Sequence, residues 1–371
     1  MRPRRTQRSA FTLVELLLAL GLLSILTLAL VQLLDTSLGI WRRAETGRDL
    51  AEIGGAALDL IARDLRTLEG GPRGDLVADW KRFDLDRDGN ASLALPRLRL
   101  VRQADAADLL RAGAQEAVDA SQADSLESGG GALEVDPHAK GVLQVVWMLV
   151  PSRSSAPDER ALSELVRGER RLEDEGLDFF DPGFFATGGK PPAGSVELVT
   201  GGVLWLEFLF AAKTSVIEDG WNVGTGLADC SQSWDAWGRE RPDTEETFLN
   251  QGAAGMQSAP DHAALPRRVR IVLEIERPRD LRARTRIESA LDAEINELAV
   301  GDERRLPGPG GFVLIDEEWM EILSTGRGYA IVKRARRGTR ATLHDAGALI
   351  HHGERLVREV PIATAREDWK L

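Results

Sequence analysis

The chain has 371 residues, 43% hydrophobic and 29% charged, which suits a sizeable core and excludes both a polytopic membrane protein and a disordered chain. Its net charge of −12 argues against a nucleic-acid partner, which would need a basic face. The single cysteine, Cys230, excludes an internal disulfide and any paired-cysteine metal or redox site, and reads as a small packing residue.

The chain opens MRPRRTQRSA, with Arg2, Arg4, Arg5 and Arg8 and no acid, then continues FTLVELLLALGLLSILTLALVQLL. As a helix that apolar run is long enough to cross the roughly 30 Å hydrocarbon core of a bilayer. The basic head predicts a cytoplasmic N-terminus with the remainder exported. A secretory signal would have a shorter apolar core, about 7 to 15 residues, followed by a small-residue cleavage site, and none stands out before Asp35. One acid, Glu15, interrupts the run. A carboxylate within lipid costs several kcal/mol unless it is paired, so an acid here is a functional candidate.

This head resembles the class III signal of type IV pilins and type II secretion pseudopilins. The resemblance implies that a prepilin peptidase cuts between Ala10 and Phe11 and N-methylates Phe11, although the family usually has glycine where Ala10 stands. Glu15 then becomes the fifth mature residue and can neutralise the new Phe11 amine of a neighbouring subunit, in a setting where either charge alone would be costly.

Beyond the apolar run, Leu38, Trp41, Leu50, Ile53, Leu58, Ile61 and Leu65 recur mostly at steps of three and four, up to a stop at Gly70 and Gly71. One long helix is expected to cross the membrane and lay this stripe on a globular domain. Strands are predicted at 98–102, 142–151, 195–211 and 267–278, the last from its apolar–charged alternation. Residues 103–140 and 181–194 read as loops or insertions.

Between the first of these helices and strands, FDLDRDGNASLAL sets Asp84, Asp86 and Asp88 at alternate positions before Gly89 and Asn90. This is the core of a calcium loop, aiming three carboxylates at one hard cation, with the Asn90 carbonyl and a Ser92-held water as further ligands. Position 12 of the loop is Leu95 instead of glutamate, so it is not a complete EF-hand, and Asp105 is a candidate last ligand. Ca²⁺ is the only cofactor expected.

Residues 200–275 resemble the end of the J-class minor pseudopilin of type II secretion: a VLWLEF strand, a polar turn carrying Trp221, Trp234 and Trp237, then Leu265, Pro266 and the Val269–Leu273 strand. The resemblance implies a structural subunit that joins I- and K-class partners at the tip of a periplasmic pseudopilus, alongside the major pseudopilin, anchored in the bacterial inner membrane. The chain is longer than that class, with surplus at 103–140, at 155–194 and after about 281. The surplus stretch GFVLIDEEWMEIL and RARRGTRATLHDAGA resembles segments of phage-tail and surface-associated proteins, which implies an added binding or packing module. The preceding RDLRARTRIESALDAEINELA reads as a helical connector with a solvated charged face.

Among the histidines, His351 and His352 adjoin and would point to opposite faces of a strand, in a plain surface role. There is no HExxH, GxSxG or phosphate-loop motif, the glycine runs at 129–131 and 308–311 read as turns, and no enzyme is expected. The expected fold is α+β: a long N-terminal transmembrane and amphipathic helix packed on an antiparallel sheet, with a β-rich C-terminal extension. The expected organisation is a leader at 1–10, the helix at 11–70, a globular domain at 71–280 and the extension at 281–371. Rival roles are a minor type IV pilin in adhesion or DNA uptake, and a membrane-anchored surface binding protein.

Overall fold

A computed structural model describes residues 13–83, 93–104, 141–152, 162–172, 178–181, 184, 191–211, 230–239, 262–276 and 284–363. Its first element is one continuous helix, α1, Leu13–Arg66. Leucine and alanine dominate it, proline is absent, and Arg63 and Arg66 in the last turn complement the negative carbonyl end. Thr67 Oγ1 closes the helix by donating to the Arg63 and Asp64 carbonyls. The chain divides into two compact units at residues 50 and 51, within α1.

The second unit begins at Ala51 and holds the rest of α1 and all the strands. In chain order these are β1 (Leu76–Phe83), β2 (Leu93–Gln103), β3 (Val142–Pro151), β4 (Ser163–Arg171), β5 (Glu197–Ala211), β6 (Cys230–Ser231), β7 (Trp234–Asp235), β8 (Arg268–Ile275), β9 (Thr285–Arg286), β10 (Glu297–Ala299), β11 (Phe312–Ile315), β12 (Glu318–Gly326), β13 (Tyr329–Arg336), β14 (Leu349–His351) and β15 (Glu354–Pro361).

One antiparallel sheet runs β15-β8-β5-β4-β3-β2-β1-β7. The short 230–235 segment pairs with β5 through Phe210 and Ser231, and with β1 through Val77 and Asp235. The sheet is therefore curled, and Trp80 of β1 stands 5.5 Å from Trp205 of β5, ring to ring. Ala57, Leu58, Ile61, Ala62 and Leu65 of α1 are buried in the same core, so the predicted stripe does pack in its second half. Trp41 and Ile53, in its first half, stay exposed. Gly54 permits close approach: a Cβ there would run into Leu356 Cδ1 and lie 3.1 Å from Ile275 Cδ1.

The other antiparallel sheet runs β10-β13-β12-β11-β14-β9 around its own core of Ile287, Leu291, Leu298, Val313, Met320 and Ile350, among others. It does not trail from the first sheet. Ile275 at the end of β8 pairs with Glu354 at the start of β15, so the whole second sheet is inserted at the turn of a β8–β15 hairpin. The α+β expectation with a β-rich C-terminal region holds, while the last strand belongs to the first sheet.

One sequence expectation is corrected here, and one strand went unforeseen. The connector read as helical is, in its described part, β9, turns and β10; the Ile287 amide donates to the Ala348 carbonyl and the Leu291 amide to the His344 carbonyl. Its apolar residues are claimed by the second core, and that tertiary burial overrides a weak helical preference. The unforeseen strand is β4, central in the first sheet, where Arg167 pairs with Asp64 and Glu169 with Arg102.

Candidate functional site

The first unit, residues 1–50, is described from Leu13 onward, and its helix is apolar on every side between Leu16 and Leu34: Leu16, Leu17, Leu18, Leu22 and Ile25 step round the axis, all exposed. Ser24, Thr27 and Thr36 donate their hydroxyls to the carbonyls of Leu20, Leu23 and Gln32, each at 2.8 Å. Their polar atoms are thus satisfied within the helix, as a lipid solvent demands. Residues Leu16–Leu38 form the one stretch among the described residues that is long and apolar enough to span a membrane. Glu15 lies in the first turn of α1. Ala10 and Phe11 fall outside the described residues, as do Asp84, Asp86, Asp88, Asn90, Ser92, Asp105 and Trp221.

The body grips its end of α1 through Asp64, which the sequence reading passed over. This acid sits between Ile61 and Leu65 on the buried stripe, and an acid in such a position is a signal that a partner lies opposite. Trp147 Nε1 donates to it at 2.8 Å, and Arg167 Nε and Nη2 at 2.9 and 3.1 Å. Arg102 Nε lies 2.9 Å away, and Glu169 Oε2 accepts from both Arg102 and Arg167. A second buried set joins Asp79 to Arg97 and Arg99. The two described tryptophans of the predicted polar turn are also structural: Trp234 Nε1 donates to the Ala264 carbonyl and Trp237 Nε1 to the Gly74 carbonyl.

Within the second sheet, the motif residues resembling surface-associated proteins organise one hub. Glu318 accepts from Arg334 Nε and Nη2 at 2.7 Å each, and from the Ala335 and Thr342 amides at 3.0 and 2.9 Å. His344 bridges it to Asp316. Burial would raise the Glu318 carboxyl, but Arg334, His344 and the two amides outweigh it and hold the group down at about 2. Thr339 Oγ1 accepts from the Trp319 amide. The recurring Glu, Arg, Thr and His are thus turn-holding residues, and among the described residues no group of three or more metal-binding side chains is placed to hold an ion.

Arg337 joins the sheets. It has a positive φ of 52°, and its guanidinium lies 4.8, 4.2 and 4.1 Å from the rings of Trp205, Phe312 and Trp319. Nη2 donates to Glu274 Oε2 at 2.7 Å. Burial pushes the Glu274 carboxyl up and the Arg337 guanidinium down, against their mutual attraction. The expected surface role of the paired histidines fails for His351, which is buried with Nδ1 2.7 Å from Glu276 Oε2. Burial also lowers His352 below its ordinary value.

Residues 5–31 match the family described as the prokaryotic N-terminal methylation motif. No curated protein matches the chain. The motif is the prepilin-type signal, and together with the apolar helix it supports a structural, type IV pilin-like protein with a single-pass membrane anchor.

Proposed function

We propose that this chain is a minor pseudopilin of the J class, a structural subunit of a type II secretion system anchored in the bacterial inner membrane with its body in the periplasm. The observation that carries the reading is the methylation motif at 5–31 running directly into the apolar helix of α1. Prepilin peptidase cuts between Ala10 and Phe11 and methylates Phe11; Glu15 then meets a Phe11 amine on an adjacent subunit. The strand–turn–strand pattern of β5, Trp234, Trp237 and β8 favours the J class, whose partners are I- and K-class and major pseudopilins. The loop carrying Asp84, Asp86, Asp88 and Asn90 takes Ca²⁺.

Intact-mass measurement of the membrane-extracted chain, with its co-purifying proteins identified, tests this. The expected result is a chain beginning at N-methyl-Phe11 and accompanied by I- and K-like pseudopilins. Retention of Met1, or a cut well beyond residue 30, would sink the pilin reading; correct processing without such partners would sink the tip-complex assignment alone.

A further inference from the structure

The second sheet closes on itself: Ile287, just past β9, bridges Val300, just past β10, so its strands surround their own core and can move as one body. Two chain crossings join it to the first sheet, and they come together at one carboxylate. Glu276, one residue past β8, accepts from Arg284 Nε of the outgoing crossing at 2.6 Å and lies 2.7 Å from His351 Nδ1, at the end of β14, on the return. All three residues are buried. A Cβ on Gly353 would lie 2.5 Å from the Ile275 carbonyl oxygen, so the return crossing is pressed against the end of β8. Arg305 Nη1 donates to the Arg284 carbonyl at 3.0 Å. His352 sits within this cluster, facing Glu276 from β8, Arg284 ahead of β9, His351 from β14 and the Arg305 carbonyl. Among the described residues, one carboxylate thus serves a guanidinium and two imidazoles. The rest of the contact between the sheets is Arg337 on Glu274 and its aromatic rings, beside the apolar cluster of Leu162, Leu204, Leu314 and Trp319.

We propose that this junction is an acid-sensitive hinge: proton uptake at His352 releases the second sheet from the first and uncovers the surface formed by Trp205, Phe312 and Trp319. Protonation in place would add a cation beside Arg284, in a buried cluster whose carboxylate already accepts from two donors. Burial holds His352 below its ordinary value, Glu276 and the Arg305 carbonyl only partly restore it, and His351 and Arg284 repel the charge. The released form returns the imidazole to water, where it titrates near its ordinary value of about 6.5. The released form therefore takes the proton first. Docking is at full strength above about pH 6.5 and weakens as pH falls below it, by at most about tenfold per pH unit for one proton. Glu274, across the contact, acts in the opposite sense: burial raises it, so its protonation favours docking and does not account for release in acid.

The test uses the full chain in detergent, with Cys230→Ser to remove the native thiol. Leu162→Cys, buried in the apolar cluster between the sheets, reports release through its rate of labelling by a maleimide. That rate is divided by the rate at exposed Leu343→Cys, which cancels the reagent's own pH dependence. Between pH 7.5 and 5.5 the ratio should rise several-fold, with a one-proton ceiling of about tenfold, and should stay within about twofold in His352→Gln. Ala330→Cys, buried in the second sheet's own core, should show no rise, because the sheet moves as a body. If Leu162→Cys already labels as fast as Leu343→Cys at pH 7.5, Leu204→Cys from the same cluster takes its place. A ratio unchanged by acid would overturn the hinge, as would an equal rise in His352→Gln. An equal rise at Ala330→Cys would replace it with melting of the second sheet.

Discussion

Replacing Asp64 should release the body's grip on its helix. Asp64 is buried and faces Trp147 Nε1, both donors of Arg167 and Nε of Arg102 within 3.1 Å. Asp64→Ala strands two largely buried guanidinium groups. Removing one partner of a buried ion pair costs about 3–5 kcal/mol. Both arginines keep Glu169, at 3.0 Å for Arg102, which puts the expected loss near the low end, about 3 kcal/mol. At about 2–4 °C per kcal/mol for a body of this size, melting should fall by roughly 6–12 °C. Asp64→Asn keeps one acceptor oxygen, for the Trp147 N–H, but loses the charge and turns its NH2 toward an arginine, so it should fall between Ala and the parent. Thermal unfolding of the three full-length chains in detergent, followed by near-ultraviolet circular dichroism, reads the effect through the Trp147 environment. If Asp64→Ala melts within about 2 °C of the parent, Asp64 does not hold α1 to the sheet and the reasoning is wrong.

Arg337→Ala should cost about 3–5 kcal/mol in denaturant unfolding, because it leaves Glu274 buried without its guanidinium, whereas Arg337→Met with Glu274→Met should recover most of that loss; a double variant no better than the single would refute the assignment. Glu318 is held below its ordinary 4.5, so its contribution is full above about pH 4.5 and lost as pH falls through about 2. Stability of the second sheet should decline across that window, and Glu318→Gln, lower at neutral pH, should show a flatter acid limb. Calorimetric titration of the full chain with Ca²⁺ should show binding in the range of roughly 0.1–1 mM that extracellular calcium modules occupy, abolished by Asp86→Ala. Heat or thermal stabilisation that survives Asp86→Ala would place the ion elsewhere.

The head of the chain was readable because its constraints act on consecutive residues: basic head, cleavable junction, acid and apolar run are all local. β3, Val142–Pro151, was readable for a related reason, since its nine successive buried residues hold a single polar one, Gln144. β4, SELVRGERR, was not, because its charges hide the apolar alternation of a strand, and the partners of Arg167 and Glu169, Asp64 and Arg102, come from other elements. The residues 279–299 misled in the opposite sense, offering regular charges that resemble a helix face while Ile287, Leu291 and Leu298 were reserved for a sheet core. The hub around Glu318 had a visible signal in its spaced Glu, Arg, Thr and His, but spacing alone does not say whether such residues bind a ligand or one another.

The inserted position of the second sheet was beyond local reading because the pairing that defines it joins Ile275 to Glu354 across the entire module. Read linearly, everything after β8 looks like an appendage; read through the register, the chain leaves the first sheet and returns to it at neighbouring positions. That difference changes what truncation means. Stopping the chain after β8 would remove β15, exposing the edge of β8 and taking away Leu356 and Arg358 from beneath α1. An excision that keeps Glu354–Pro361 would spare both, but it would uncover the Trp205 and Leu204 patch that the module covers and strip Glu274 and Glu276 of Arg337, Arg284 and His351. The C-terminal strand therefore belongs with the machinery that holds α1, and the module between the two strands is the part free to carry a separate role.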